Sequence, residues 1–125
     1  MTEEPGTLLT EMNDELLRSV RLLLLLSRTE FSGEEKSRIT AECETFTSWQ
    51  LFASLAVRHG VAALVWQNIS DLDLAAMVPE TERTLLEGLR FKSIARVAWI
   101  TEAAAGVTAL LERQGIRAVL LKGLA

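Results

Sequence analysis

The chain of 125 residues has one cysteine, one histidine, two prolines and no tyrosine. A single thiol, Cys43, excludes an intramolecular disulfide, and a single imidazole, His59, excludes a metal cluster built from histidines. The first residues, Met-Thr-Glu-Glu-Pro, lack the basic segment and apolar core of a secretory signal. These absences predict a cytoplasmic chain that folds without disulfides.

Long hydrophobic runs are also missing, since a membrane span needs about 20 apolar residues. The leucines 22–26 are bracketed by arginines, and the stretch 94–111 is interrupted by Arg96 and Glu102. We interpret both as core helices and expect no membrane partner. These leucines make the helix apolar on nearly all of its sides, so several other helices are expected to pack around the leucine run.

Basic residues are in the minority, with 13 Lys and Arg against 17 Asp and Glu. Without a basic run to follow a phosphate backbone, nucleic-acid binding by this chain alone is not expected. The charge is uneven, because residues 1–79 carry 6 basic and 12 acidic side chains while residues 80–125 carry 7 and 5. An anionic ligand is therefore expected nearer the C-terminal third.

The overall composition is that of one globular domain or part of one, with 49% hydrophobic and 24% charged residues. Apolar residues recur at spacings of three and four, which is typical of helices that bury one face. This pattern predicts five helices, at residues 7–28, 33–43, 48–59, 61–69 and 79–114.

Local signals mark where these helices start and stop. Ser32 with Glu35 has the spacing of a capping box, and Thr47 with Gln50 repeats it. Gly60 is a natural stop for the third helix. We interpret residues 70–73 as a loop.

The last predicted helix is unusually long. It runs from Pro79 to Gln114 and contains Gly88 and Gly106, each of which weakens a helix by about 1 kcal/mol relative to Ala unless a neighbour packs closely. One long bent helix and two collinear helices both fit this pattern.

Gly115 is expected to end this helix, and the apolar spacing of three and four residues changes after it. Residues 116–121 are a short apolar run typical of a buried strand, and Lys122-Gly123 is a turn signal. The fold class is therefore mainly α, with a helical region at 1–114 and a strand and turn at 115–125.

Several short pieces occur in a distinctive order. They are Trp49-Gln50-Leu51-Phe52, His59-Gly60-Val61-Ala62, Gly115-Ile116 and Leu121-Lys122-Gly123. Over residues 45–125 this order resembles a bacterial family of nucleotidyltransferases in the DNA polymerase beta-type superfamily. The resemblance implies that the predicted strand begins a nucleotidyltransferase α/β sheet, with an Asp-x-Asp on the next strand.

The resemblance implies that Lys122 and Gly123 bind phosphate. A strand that enters a helix through a glycine leaves backbone N–H groups pointing outward, where they favour an anion. Lys122 adds a positive charge, although the superfamily usually has Gly-Ser at this turn. The competing interpretation is that Gly123 only permits the turn and Lys122 is solvated.

The resemblance also implies Mg²⁺ and an NTP as cofactor and substrate, and it places the metal-binding Asp pair beyond Ala125. No catalytic or metal-binding residue is expected within the chain, which should be inactive alone. Asp71-Leu-Asp73 matches the Asp-x-Asp pattern, but it precedes the long helix. We therefore interpret it as a loop or helix cap.

Other reactive side chains have structural interpretations. His59 is expected to cap the end of a helix, and Cys43 between two glutamates is not expected to be a nucleophile. Arg83 and Arg90 share a helix face that we expect to be solvated, and the alternative is an edge that faces an anion. The tryptophans are expected to pack in the core, at Trp49, Trp66 and Trp99.

Two functions are compatible with these features. The first is the N-terminal part of a nucleotidyltransferase-like protein, whose partners are a nucleotide and the remainder of the catalytic domain, or a second copy that pairs the strand. The alternative is a stand-alone helical interaction module, which uses the surplus apolar surface around Leu22–Leu26 and the strand to dimerise or dock.

Overall fold

The computed structural model of the chain describes residues 5–119. Within that range the chain is mainly helical and has no strand, which confirms the predicted helical class and the five helices. The helices are α1 (Pro5–Leu26), α2 (Gly33–Thr45), α3 (Trp49–Arg58), α4 (Ala62–Asp71) and α5 (Glu80–Arg113), with a short 3-10 helix at Ala75–Met77. Residues 116–119 have no regular secondary structure and residues 120–125 lie outside the described range. The C-terminal strand therefore stays a prediction.

The chain divides into two compact units, residues 1–90 and 91–125. The core of the first unit forms where α1 packs against α2, α3 and α4. Leu22, Leu23 and Leu26 are buried there, which confirms that several helices pack around the leucine run. Leu24 differs from its neighbours, since 66% of its surface is exposed.

An aromatic cluster anchors the start of α3 in this core. The rings of Phe46 and Trp49 meet edge to face with centroids 4.8 Å apart, and those of Trp49 and Phe52 do so at 5.3 Å. Edge-to-face pairs of this kind add about 0.5–1.5 kcal/mol beyond the area they bury. The loop between α2 and α3 is therefore held by packing at both of its ends.

One of the two predicted capping boxes forms. The Ser32 hydroxyl accepts a hydrogen bond from the Glu35 N–H at 3.1 Å, and the Ser32 N–H donates to the Glu35 carboxylate at 3.2 Å. The box predicted at Thr47 is wrong, because Ser48 is the N-cap of α3 and makes no side-chain capping bond. The residue three positions after Ser48 is Leu51, which has no side-chain acceptor.

The predicted stops at Gly60 and Gly115 are confirmed. Both glycines have positive φ, at 71° and 72°. Beyond the end of α5, the Gly115 N–H donates to the Glu112 carbonyl at 3.0 Å and the Ile116 N–H donates to the Leu111 carbonyl at 2.9 Å. These two bonds define a Schellman motif, which satisfies carbonyls that a helix end leaves open.

Helix α5 is continuous through Gly88 and Gly106. The segment is therefore one long helix, and the alternative of two collinear helices is wrong. The interpretation of residues 94–111 as a core helix is wrong, because no described side chain after Arg90 is buried. Apolar residues occur on all sides of this segment, and the second unit has no other described helix to cover them.

Helix α5 is also the one described helix that is long and apolar enough to cross a membrane. An 18-residue window within it has a mean hydropathy of 1.4, and none of that window is buried. The same length and composition occur in core helices of soluble proteins, so these two properties do not define a membrane span.

Candidate functional site

The approach to the predicted phosphate-binding turn is described as far as Val119, whereas Lys122 and Gly123 lie outside the described residues. The Schellman motif at Gly115 ends α5, and the chain continues through Ile116 to Val119 without regular structure. Ile116 is 52% exposed and Val119 is 80% exposed. This segment connects α5 directly to the predicted turn.

Basic residues collect along this segment. Arg113 lies in the last turn of α5, where a cation is favoured by the helix dipole. Arg117 is exposed and, with Glu112 and Ile116, lines an open cavity of about 400 Å³. No sequence motif identified Arg117 as a candidate. The excess of basic over acidic side chains in residues 80–125 indicated this region in general.

The loop interpretation of residues 70–73 is confirmed for Leu72 and Asp73, which form a turn, and is wrong for Ser70 and Asp71, which end α4. The Asp71 carboxylate accepts a hydrogen bond from the Gln67 side chain at 2.8 Å. Asp73 has a φ of 60°, and its N–H donates to the Ser70 carbonyl at 3.1 Å. Nowhere between residues 5 and 119 do three or more His, Cys, Asp or Glu side chains lie where they could hold a metal ion.

His59 occupies the predicted position at the end of a helix. It is the C-cap of α3, and its backbone N–H donates to the Leu55 carbonyl at 3.0 Å. Its side chain lines a cavity of about 400 Å³ whose other walls are mostly apolar residues of α1 and α3, including Leu23 and Leu24. The cavity is suited to an apolar group.

Cys43 is buried in the core, with 3% of its surface exposed. Burial, and secondarily the carboxylate of Glu42, raises the pKa of the Cys43 thiol to about 11. The thiol is therefore protonated at neutral pH, when a nucleophile would have to be a thiolate. The neighbouring glutamates predicted the same outcome from the sequence, but burial is the larger cause.

Arg90 joins α5 to α4, so the prediction of a solvated position is wrong for this residue. Its guanidinium donates to the Gln67 side chain at 2.8 Å and to Glu87 at 3.4 Å. The indole N–H of Trp66 also donates to the Glu87 carboxylate. Charge-assisted bonds of this kind position α5 against α4.

The tryptophans separate into two groups. Trp49 and Trp66 are 4% and 3% exposed, as predicted for core residues. Trp99 is 71% exposed, so its prediction as a core residue is wrong. It lies in the second unit, where no described side chain is buried.

Together these features define a helical protein. Its long helix α5 is followed directly by an exposed, basic segment. A family model described as an uncharacterised nucleotidyltransferase matches residues 46–125, which is more than half of the chain. The chain belongs to this family. No curated protein and no solved structure matches it.

The matched region does not contain the whole core. It begins at Phe46, after α1 and α2. Leu26 of α1 and Ile39 of α2 are nevertheless fully buried in one cluster with Phe52 and Val65. The first two helices therefore complete the hydrophobic core on which the matched helices α3 and α4 depend.

Proposed function

We propose that the chain provides the helical region, first strand and phosphate-binding turn of a nucleotidyltransferase-like protein. The complete protein transfers a nucleoside monophosphate from an NTP to an acceptor. The observation that carries the proposal is the family match, which extends from the start of the aromatic cluster through Lys122-Gly123. Membership of the DNA polymerase beta-type superfamily, bacterial origin and cytoplasmic location belong to the same proposal and rest on the sequence.

Lys122 and Gly123 bind the phosphate groups of the nucleotide in this proposal. Glycine lets backbone N–H groups approach an anion closely, and the lysine supplies a positive charge. Arg113 and Arg117 precede them on the same segment, and Glu112 is the only acidic residue from 103 to 125. That local excess of positive charge favours an anionic ligand.

The described carboxylates do not form a site for Mg²⁺. Asp71 is hydrogen-bonded to Gln67 at a helix end, and no metal-binding cluster occurs among residues 5–119. In this proposal the metal-binding Asp pair lies beyond Ala125, as the family resemblance implies, and residues 1–125 alone are expected to be inactive. When bound, the metal ion would neutralise charge on the phosphates during transfer.

The remainder of the catalytic domain is the proposed partner of the C-terminal segment. It would pair the predicted strand and cover apolar side chains of α5 such as Phe91, which is 72% exposed, and Val107, which is 57% exposed. A second copy that pairs the strand would satisfy the same unpaired backbone groups.

Calorimetric titration of the chain with ATP and Mg²⁺ tests the phosphate-binding site. Lys122→Ala is expected to weaken binding about tenfold, which corresponds to about 1.4 kcal/mol. Lys92→Ala is the matched control, because Lys92 is an exposed lysine of α5 outside the predicted turn, and it should leave binding unchanged. Tight binding that does not respond to Lys122→Ala would contradict the site.

The exposed apolar side chains of α5 also favour a second candidate, a helical interaction module without catalysis. The two candidates predict different codons after Ala125 in the reading frame. An Asp-x-Asp on an apolar strand about 20 to 30 residues further on would support the enzyme, whereas a stop codon would support the module. Transfer of labelled nucleotide by the extended protein, lost when that Asp pair is replaced, would decide for the enzyme.

A further inference from the structure

Helix α1 has an apolar face that the first unit leaves uncovered. Three of its large apolar side chains are at least one-third exposed and lie on the side of the helix away from buried Leu22 and Leu26: Leu17 63%, Val20 36% and Leu24 66%. Exposed apolar patches of this kind mark sites of association. We call these three residues the α1 face.

The spacing within the α1 face is that of a helix-pairing seam. Leu17, Val20 and Leu24 succeed one another at intervals of three and four, as the a and d positions of a coiled coil do. In an antiparallel pair each a position packs against a d position of the other helix. Leu17 of one copy would therefore pack against Val20 of a second copy, and the reverse contact would form by symmetry.

The charges at one edge of the α1 face are self-complementary. Arg21 follows Val20 of the seam, and Asp14 lies seven residues before Arg21, so both lie on the same side of the seam, two helical turns apart. Antiparallel symmetry brings that edge of one helix against the same edge of the other, which places Asp14 near Arg21 of the second copy. The Arg21 side chain is 57% exposed, and its Nη1 lies 3.9 Å from Glu42, so it is accessible to a second carboxylate.

The opposite edge offers a matching cavity. The cavity of about 400 Å³ beside His59 is lined by Val20, Leu23 and Leu24, near the C-terminal end of α1. Leu16, which is 42% exposed, lies on this edge one helical turn before Val20. In the antiparallel arrangement it reaches the level of the cavity of the second copy, where its apolar side chain can be covered.

We propose that the chain forms a two-fold symmetric homodimer through antiparallel packing of the α1 face, with Asp14 of each copy paired to Arg21 of the other. A single pair of helices buries less than the roughly 1,600 Å² of a standard interface. An interface of this size is typical of weak association, so the dimer should form only as the protein concentration rises. This interface lies outside the nucleotide-binding segment and is independent of the proposed function.

Sedimentation velocity of the full chain over a range of concentrations tests the proposal. Wild type should pass from monomer to dimer as its concentration rises. Asp14→Arg and Arg21→Asp should each weaken dimerisation about tenfold, because each places like charges together, and the double variant should restore it. Failure of the double variant to recover would overturn the Asp14–Arg21 pairing.

A second pair of variants tests the apolar seam. Leu17→Asp should abolish the dimer, whereas Leu85→Asp should not, since Leu85 is an exposed leucine of α5 outside the α1 face. Both positions are exposed, so circular dichroism should show wild-type helix content in both variants. A wild type that stays monomeric, or a dimer that survives Leu17→Asp, would overturn the proposal.

Discussion

The side-chain nitrogen of Asn68 lies 2.7 Å from the carbonyl oxygen of Leu26, although 42 residues separate them in sequence. The same nitrogen lies 2.7 Å from the carbonyl oxygen of Arg28. Asn68 is 7% exposed, so both bonds form largely away from solvent. One amide of α4 thus satisfies two backbone carbonyls where α1 ends, and it connects the family-matched helices to α1.

Replacing Asn68 by alanine should lower the free energy of unfolding by about 1–3 kcal/mol, because the carbonyls of Leu26 and Arg28 would lose their partner. Urea unfolding measures this change. Gln50→Ala is the control, since Gln50 is exposed, and it should stay within about 0.5 kcal/mol of wild type. Equal stability of Asn68→Ala and wild type would contradict a net stabilising role for the two hydrogen bonds.

The two capping boxes predicted from sequence provide a matched pair of variants. Ser32→Ala should destabilise the protein by about 1 kcal/mol, because the Ser32 hydroxyl caps α2. Thr47→Ala should have little effect, because Thr47 is not the N-cap of α3. Thermal unfolding of both variants measures the difference, and equal losses would contradict the assignment of Ser48 as N-cap.

The end of α4 yields two glycine variants with opposite signs. Asp73→Gly should stabilise the protein by about 1 kcal/mol, because glycine adopts the positive φ of this position without the cost that an L side chain has. Asp71→Gly should destabilise it by about 1 kcal/mol, since Asp71 is helical and bonded to Gln67. Chemical unfolding gives both values. A loss of stability in Asp73→Gly would indicate an unrecognised role for that carboxylate.

Cys43 should make stability depend on pH in the alkaline range. The pKa of the thiol rises from 9.0 to about 11 on folding. Between these values the unfolded chain loses a proton that the folded chain keeps, so the free energy of unfolding should fall as pH rises, by an amount of order 2 kcal/mol. Below pH 9 this contribution is fully present.

Unfolding of wild type and Cys43→Ala from pH 8 to 11 separates this effect from lysine titration. The alanine variant should be less stable overall because it leaves a small cavity, but it should lack the additional alkaline slope. The absence of tyrosine leaves no phenol to titrate in the same range. Parallel pH profiles would show that the Cys43 thiol does not carry the dependence.

Local signals predicted much of the fold correctly. The ends of α3 and α5 depend on Gly60 and Gly115, and the start of α2 depends on Ser32 with Glu35. Each of these effects acts between residues at most five positions apart, so the sequence specifies it directly. The box at Thr47 did not form, because α3 begins one residue later than this box requires, with Ser48 as its N-cap.

The sequence by itself determined the helical class, most helix ends, the family and the candidate residues Lys122 and Gly123. Only the tertiary structure decided that Arg90 bonds to Gln67, that burial dominates the pKa of Cys43, and that Leu24 and Trp99 face solvent. The physical reason is the distance along the sequence over which each effect acts. Helix periodicity and capping act over a few residues, whereas burial depends on which distant helices cover a side chain.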